Sequence, residues 1–153
     1  MTNEELISII QTWYPDLELS AEGSDYLNAI VPKEHLLDLL TKLKEDEKTK
    51  MDYMFCLTCV DWPEHFQMVY HLKSSDLNHC LVLKVNLEDK VKPEVETVCH
   101  LYRTAEFHER EVYDLFGVIF LNHPDLRRLL LTDDWEGYPL RKDYVDEINI
   151  VSL

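Results

Sequence analysis

The stretch Tyr53–Leu87, YMFCLTCVDWPEHFQMVYHLKSSDLNHCLVLKVNL, decides the fold. It holds three apolar runs of strand length, 53–61, 66–72 and 79–87. In the last run Leu81, Leu83, Val85 and Leu87 point one way, while Lys84 and Asn86 point the other. Pro63-Glu64-His65 predicts a hairpin turn between the first two runs. Consecutive antiparallel strands of this kind require a sheet with at least one buried face.

Upstream, Leu6, Ile9, Ile10 and Trp13 recur at helical spacing with Glu4 and Glu5 in the first turn, so residues 3–13 are predicted helical, with Pro15 as the stop. Residues 17–20 and 25–31 read as short strands around a Gly23-Ser24 turn. Pro32 opens a second helix whose buried stripe is Leu36, Leu39, Leu40 and Leu43. Downstream, helical spacing is expected around 96–102 and again over 105–116. Gly117 suits the left-handed position past a helix end, and Val118–Leu121 is a further short strand. This order predicts an α+β fold: a two-layer mixed β-sheet with helices on one face.

From Asn122 the periodicity fails. Pro124 and Pro139 remove backbone donors. About thirty residues without regular structure are uncommon in a compact domain, yet Leu126, Leu129, Leu130, Leu131, Trp135, Tyr138, Leu140 and Tyr144 carry too much apolar area to be left in water. The chain therefore divides into a globular domain, 1–121, and an extended C-terminal tail, 122–153, expected to lie on its own sheet or on another chain.

The length of 153 residues and the 46% hydrophobic content suit one packed core. A net charge of −15 disfavours binding to nucleic acid or to an anionic membrane. The opening MTNEELIS lacks a basic or apolar leader pattern, and no apolar run reaches about 18 residues, so a soluble cytoplasmic protein without direct membrane insertion is expected. Charge is also partitioned by type. Nine of the ten lysines precede residue 93, and all five arginines follow residue 102. Arginine suits bidentate and stacked pairing, and with tryptophan and tyrosine it anchors interfaces. Arg127, Arg128, Trp135, Arg141 and Lys142 are therefore the expected partner contacts. Glu106 and Asp114 flank Arg110 at i−4 and i+4, which predicts an ion-pair ladder that braces the tail.

Catalytic patterns are weak. Cys56 and Cys59 form a CxxC, but mid-strand residues three apart face opposite ways, and Cys80 and Cys99 complete no ligand set, so all four cysteines are expected as reduced thiols. His108-Glu109 begins an HExxH, but Val112 stands where the second histidine belongs. With three glycines in all, no phosphate-cradling loop fits. No catalytic, cofactor or metal residue is therefore assigned. A competing reading of another class is a stand-alone enzyme, with the carboxylates of helix 105–116 and His123 forming a hydrolytic or metal site.

EREVYDLFG (109–117), HPDLRRLLL (123–131) and DDWEGYPLRKDY (133–144) together resemble the signature of the thirty-kilodalton subunit family of respiratory complex I, the NADH-quinone oxidoreductase, in which it is the C subunit. VDWPEHFQMVYHL (60–72) resembles the hairpin of the same family. The resemblance implies a cofactor-free, non-catalytic subunit of a proton-translocating NADH:quinone oxidoreductase, peripheral on the cytoplasmic face of the bacterial cell membrane. It implies packing on the large quinone-site subunit, the D type, with FMN and iron–sulfur clusters held by other subunits. Membrane-bound hydrogenases and ferredoxin-driven relatives carry related scaffold subunits and are the alternative setting; the DLRR and LRKDY forms lean toward the respiratory type.

Overall fold

The computed structural model describes residues 2–146. Helix α1 (Asn3–Trp13) starts at a capping box, in which the Thr2 hydroxyl accepts from Glu5 N–H and the Glu5 carboxylate accepts from Thr2 N–H. Strands β1 (Glu18–Ser20) and β2 (Leu27–Ile30) pair antiparallel. Beyond Pro32 one 3-10 turn, Lys33–His35, leads into α2 (Leu36–Glu45), so the helix proper starts later than the proline. Strands β3 (Tyr53–Asp61), β4 (Phe66–Lys73) and β5 (Cys80–Leu87) form the expected antiparallel meander. After β5 come β6 (Glu94–Glu96), α3 (Ala105–Phe116) and β7 (Ile119–Leu121).

The main sheet has the order β1-β2-β5-β4-β3, and β2 runs parallel to β5, which makes it mixed. One face supplies Leu27, Leu57, Met68, Tyr70, Leu81, Leu83 and Val85 to a single core. Leu6 and Ile10 of α1, the four leucines of α2, and Ala105, Val112 and Phe116 of α3 close that core from the same side. The structure is thus α+β, with the helices on one face of the sheet.

β3 is an edge strand, and unpaired edges invite association. Here α3 covers it. Leu57 N–H donates to His108 Nδ1 at 3.1 Å, and the Thr104 hydroxyl donates to the Met54 carbonyl at 2.8 Å. These bonds fix the azimuth of α3 and so decide where its C-terminus points.

The helix expected at 96–102 does not form. Glu94–Glu96 is instead a strand parallel to β7, followed by a turn at 99–101. Tertiary contacts outweigh the local spacing. The Val98 N–H is taken by the Glu109 carboxylate at 2.7 Å, and the buried Tyr102 hydroxyl donates to the Met51 carbonyl at 2.7 Å. Val95, Val98 and Tyr102 are buried as expected of an apolar stripe, but in irregular backbone.

Candidate functional site

The last four carbonyls of a helix lack intrahelical partners. In α3 these belong to Tyr113, Asp114, Leu115 and Phe116, and each has a donor. Gly117 N–H donates to Tyr113 O at 2.9 Å, Arg128 Nη1 to Asp114 O at 2.9 Å, Leu140 N–H to Leu115 O at 3.1 Å, and Arg141 Nε to Phe116 O at 2.6 Å. Three of the four donors come from the tail. Two of them are guanidinium groups, placed where the helix dipole favours positive charge.

Gly117 permits this convergence. Its φ is +74°, and a Cβ there would lie 2.5 Å from the Tyr138 ring and 2.7 Å from Arg141 Nη2. Arg141 stacks between rings, 4.8 Å from the Tyr138 centroid and 5.0 Å from that of Phe66. Lys142 N–H then donates to Asp61 Oδ2 at 2.8 Å, while Lys90 binds Asp61 Oδ1 at 2.5 Å. The tail is thereby tied to the end of β3.

Asp114, fully buried, is the second fixed point. Its Oδ1 accepts from Arg128 at 2.8 Å, and its Oδ2 accepts the consecutive amides of Leu129, Leu130 and Leu131 at 3.0, 2.7 and 2.9 Å. Burial alone would raise this carboxyl, but the Arg128 bond and the three amides outweigh it and hold it below the usual carboxylate range. Arg128 also donates to the carbonyls of Trp135 and Gly137, each at 3.0 Å. Arg110 donates to the carbonyls of Arg127 and Arg128 at 3.2 and 3.0 Å.

A third polar cluster lies at the root of the tail. Glu109, fully buried, accepts from the Thr97 hydroxyl at 2.5 Å as well as from Val98. Burial pushes its carboxyl up to about 7, although both hydrogen bonds oppose the shift. His123 Nε2 sits 3.8 Å from Glu109 Oε2 and 3.1 Å from the Glu106 carbonyl. One ligand atom each from Cys99, Glu109 and His123 falls within 4.8 Å of the others. The histidine argues against a metal there. Its Nδ1 accepts the Asp125 N–H at 3.0 Å, which leaves the proton of a neutral ring on Nε2, the nitrogen facing Glu109.

Residues 29–148 match the family described as respiratory-chain NADH dehydrogenase, 30 kDa subunit. The chain belongs to that family. The C subunit of the NADH-quinone oxidoreductase of Moorella thermoacetica is 44% identical over 143 residues, covering 92% of this chain and 94% of that one. The C/D subunit of the same enzyme in Phocaeicola vulgatus is 42% identical over 120 residues, 78% of this chain, which spans 23% of that longer protein. Among solved structures, a chain of the membrane-bound sulfane sulfur reductase, an archaeal respiratory membrane complex, superposes with a TM-score of 0.81 at 32% identity, covering 95% of this chain and 86% of that one. The trypsin-resistant fragment of Nqo5 gives 0.70 at 26% identity, covering 82% of this chain and all of that one.

In this member of the thirty-kilodalton-subunit family, the residues singled out from sequence fall into two groups. Arg128 and Arg141 direct their guanidinium groups into their own chain, and Arg110 joins them. The Arg127 side chain is 69% exposed and its guanidinium bonds only Asp125, two residues back, Lys142 is exposed beyond its backbone bond, and Trp135 is half-buried. The i, i+4 ladder of Glu106, Arg110 and Asp114 is not formed. Arg110 and Asp114 are both buried, and each turns to tail groups instead of to the helix surface. The carboxylates of α3 do not converge on a reacting centre: Glu111 is exposed, Asp114 is occupied by Arg128 and three amides, and Glu109 is sealed. The CxxC splits, with the Cys59 thiol in the core, where burial pushes it up to about 12. Spacing arguments overlook Asp61 and Thr97; the alternation of β3, which puts Asp61 on the same side as Leu57 and Cys59, is the available signal for the first.

Replacing Arg128 with Ala leaves Asp114 buried without its cation, and equilibrium denaturation should show a loss of about 3–5 kcal/mol. An unfolding midpoint unchanged from wild type would contradict this. Glu109 gives a pH signature. Between its ordinary 4.5 and about 7 the folded chain holds a proton that the unfolded chain has released, so its contribution falls as pH rises through that window. Glu109→Gln should flatten that part of the profile when unfolding free energies at pH 5 and pH 8 are compared; an unaltered slope would exclude Glu109 as its source.

Proposed function

We propose that this chain is a non-catalytic structural subunit in the peripheral arm of a proton-translocating NADH:quinone oxidoreductase. In this reading residues 122–146 dock on the large quinone-site subunit, and electrons pass from NADH to quinone through FMN and iron–sulfur clusters in other subunits. The observation that carries the proposal is the outward face of the tail. Arg128 and Arg141 are spent on shaping the tail, yet Leu130 is 63% exposed and Leu140 is 52% exposed, with the exposed Arg127 and Lys142 nearby in sequence. A segment held rigid by buried charge pairs while it presents leucines to water is preorganised for a partner. Arg127, Lys142, Leu130 and Leu140 would touch that partner, while Arg128 and Arg141 position them. The C/D relative, in which two subunit types share one name, supports a D-type neighbour.

No helix among the described residues is long and apolar enough to cross a membrane, so attachment to a membrane complex would come through other subunits. The likeness to a chain of the sulfane sulfur reductase supports a second reading, the same scaffold in a respiratory membrane complex of another kind. The sequence relatives, named as C subunits of NADH-quinone oxidoreductases, give preference to the first. The stand-alone hydrolase reading lacks support, since Glu109 is sealed from solvent and His123 turns a protonated nitrogen toward it.

Leu130→Asp combined with Leu140→Asp tests the docking. Both sites are exposed, so the stability of the isolated chain should change by less than about 1 kcal/mol. Co-purification with a co-expressed large subunit should be lost. Wild-type stoichiometry in the purified complex would refute the docking.

A further inference from the structure

We infer that the uncovered face of the five-stranded sheet is a second docking surface, fitted to an acidic, partly apolar segment of a neighbouring subunit that is not another copy of this chain. An antiparallel sheet with one solvated face ordinarily alternates apolar-in with polar-out. Here the outward positions break that rule. Val69 and Val82 are buried yet lie outside the core cluster, because outward-facing neighbours shield them. The shield is an aromatic row: the Tyr26 and His71 rings lie 6.4 Å apart, Phe55 and His71 5.5 Å, and Tyr53 and Phe55 6.3 Å. Tyr26 and Tyr53 remain 39% and 48% exposed, and Ile30 and Val60 extend the patch across the sheet.

Charge identifies the occupant. The chain carries 30 acidic and 15 basic residues, but strands β2 to β5 hold a single carboxylate, Asp61; on the outward side Glu18 of the edge strand β1 stands opposite Ile30. Asp61 is buried and tied to Lys90 and Lys142. Lys73 and Lys84 lie on the outward side, since their strand neighbours Leu72, Leu83 and Val85 are in the core. Among the described residues neither ammonium has an ion-pair partner. The aromatic β3–β4–β5 part of the face, which carries Lys73 and Lys84, complements carboxylates that arrive beside apolar side chains, within the roughly 8–10 Å range of screened attraction. Nucleic acid and anionic lipid present extended negative surfaces, which the rest of the chain repels, as it repels a second copy of itself.

This surface is separate from the tail, and the inference uses the proposed assembly only to choose the sample. The test places a photo-crosslinking benzoylphenylalanine at Tyr26, Val60 or Leu130 in the intact purified complex, with cross-linked peptides mapped by mass spectrometry. From Tyr26 and Val60 the expected product joins a segment of another subunit rich in Asp and Glu. Lys73→Glu with Lys84→Glu should lower that yield about tenfold, as expected for a loss of roughly 1.4 kcal/mol. Cross-links to a basic or uncharged segment, cross-links to a second copy of this chain, or a yield indifferent to the double reversal would each overturn the inference. So would no product from Tyr26 and Val60 while Leu130 cross-links normally. Failure of Leu130 alone would instead sink the docking of the tail and leave this face standing.

Discussion

The C-terminal turn of α3 is the constraint from which the rest follows. Four carbonyls at a helix end need donors, and this chain provides three of them from residues 128–141. The arrangement works only because position 117 has no side chain. A Cβ there would strike the Tyr138 ring, and the left-handed backbone at this residue lets the chain reverse into β7. A carboxylate one turn back then collects three successive amides from the same tail. A segment that forms no helix and no strand thereby seats the amides of Leu129, Leu130, Leu131 and Leu140 on groups of α3.

Much of the fold is legible in the sequence because its signals are local. The alternation over 79–87 and the leucine stripe of α2 each place side chains on one face whatever surrounds them. The segment 96–102 misleads because its spacing is locally helical while its hydrogen bonds are tertiary. Glu109, eleven residues after Val98, accepts the Val98 amide and holds that residue in irregular backbone. The ladder of Glu106, Arg110 and Asp114 fails for a related reason. A pattern that reads as a solvated helix face is in fact largely buried, and buried charges take the closest complementary donors and acceptors instead of their i±4 neighbours.

The candidate site is visible as composition before it is visible as geometry. Arginine gathered in the last third of the chain marks the region, but composition does not divide arginines that brace the tail from those left on its surface. That division depends on the direction of α3, which is set by His108 and Thr104 holding the edge of β3. Family membership then gives the exposed leucines of the tail a context that physics alone leaves open. The sheet face, by contrast, owes nothing to any motif; it emerges only when burial and charge are mapped on the strands together.

The central claim is that the tail is built onto α3 by its own chain before any partner arrives. Amide hydrogen exchange on the isolated protein tests it most directly. Leu129, Leu130, Leu131 and Leu140 should exchange as slowly as the interior amides of α3, because all four donate to groups on that helix. Exchange of these four at free-chain rates, with α3 still protected, would contradict the account and make the tail a segment ordered only by its partner.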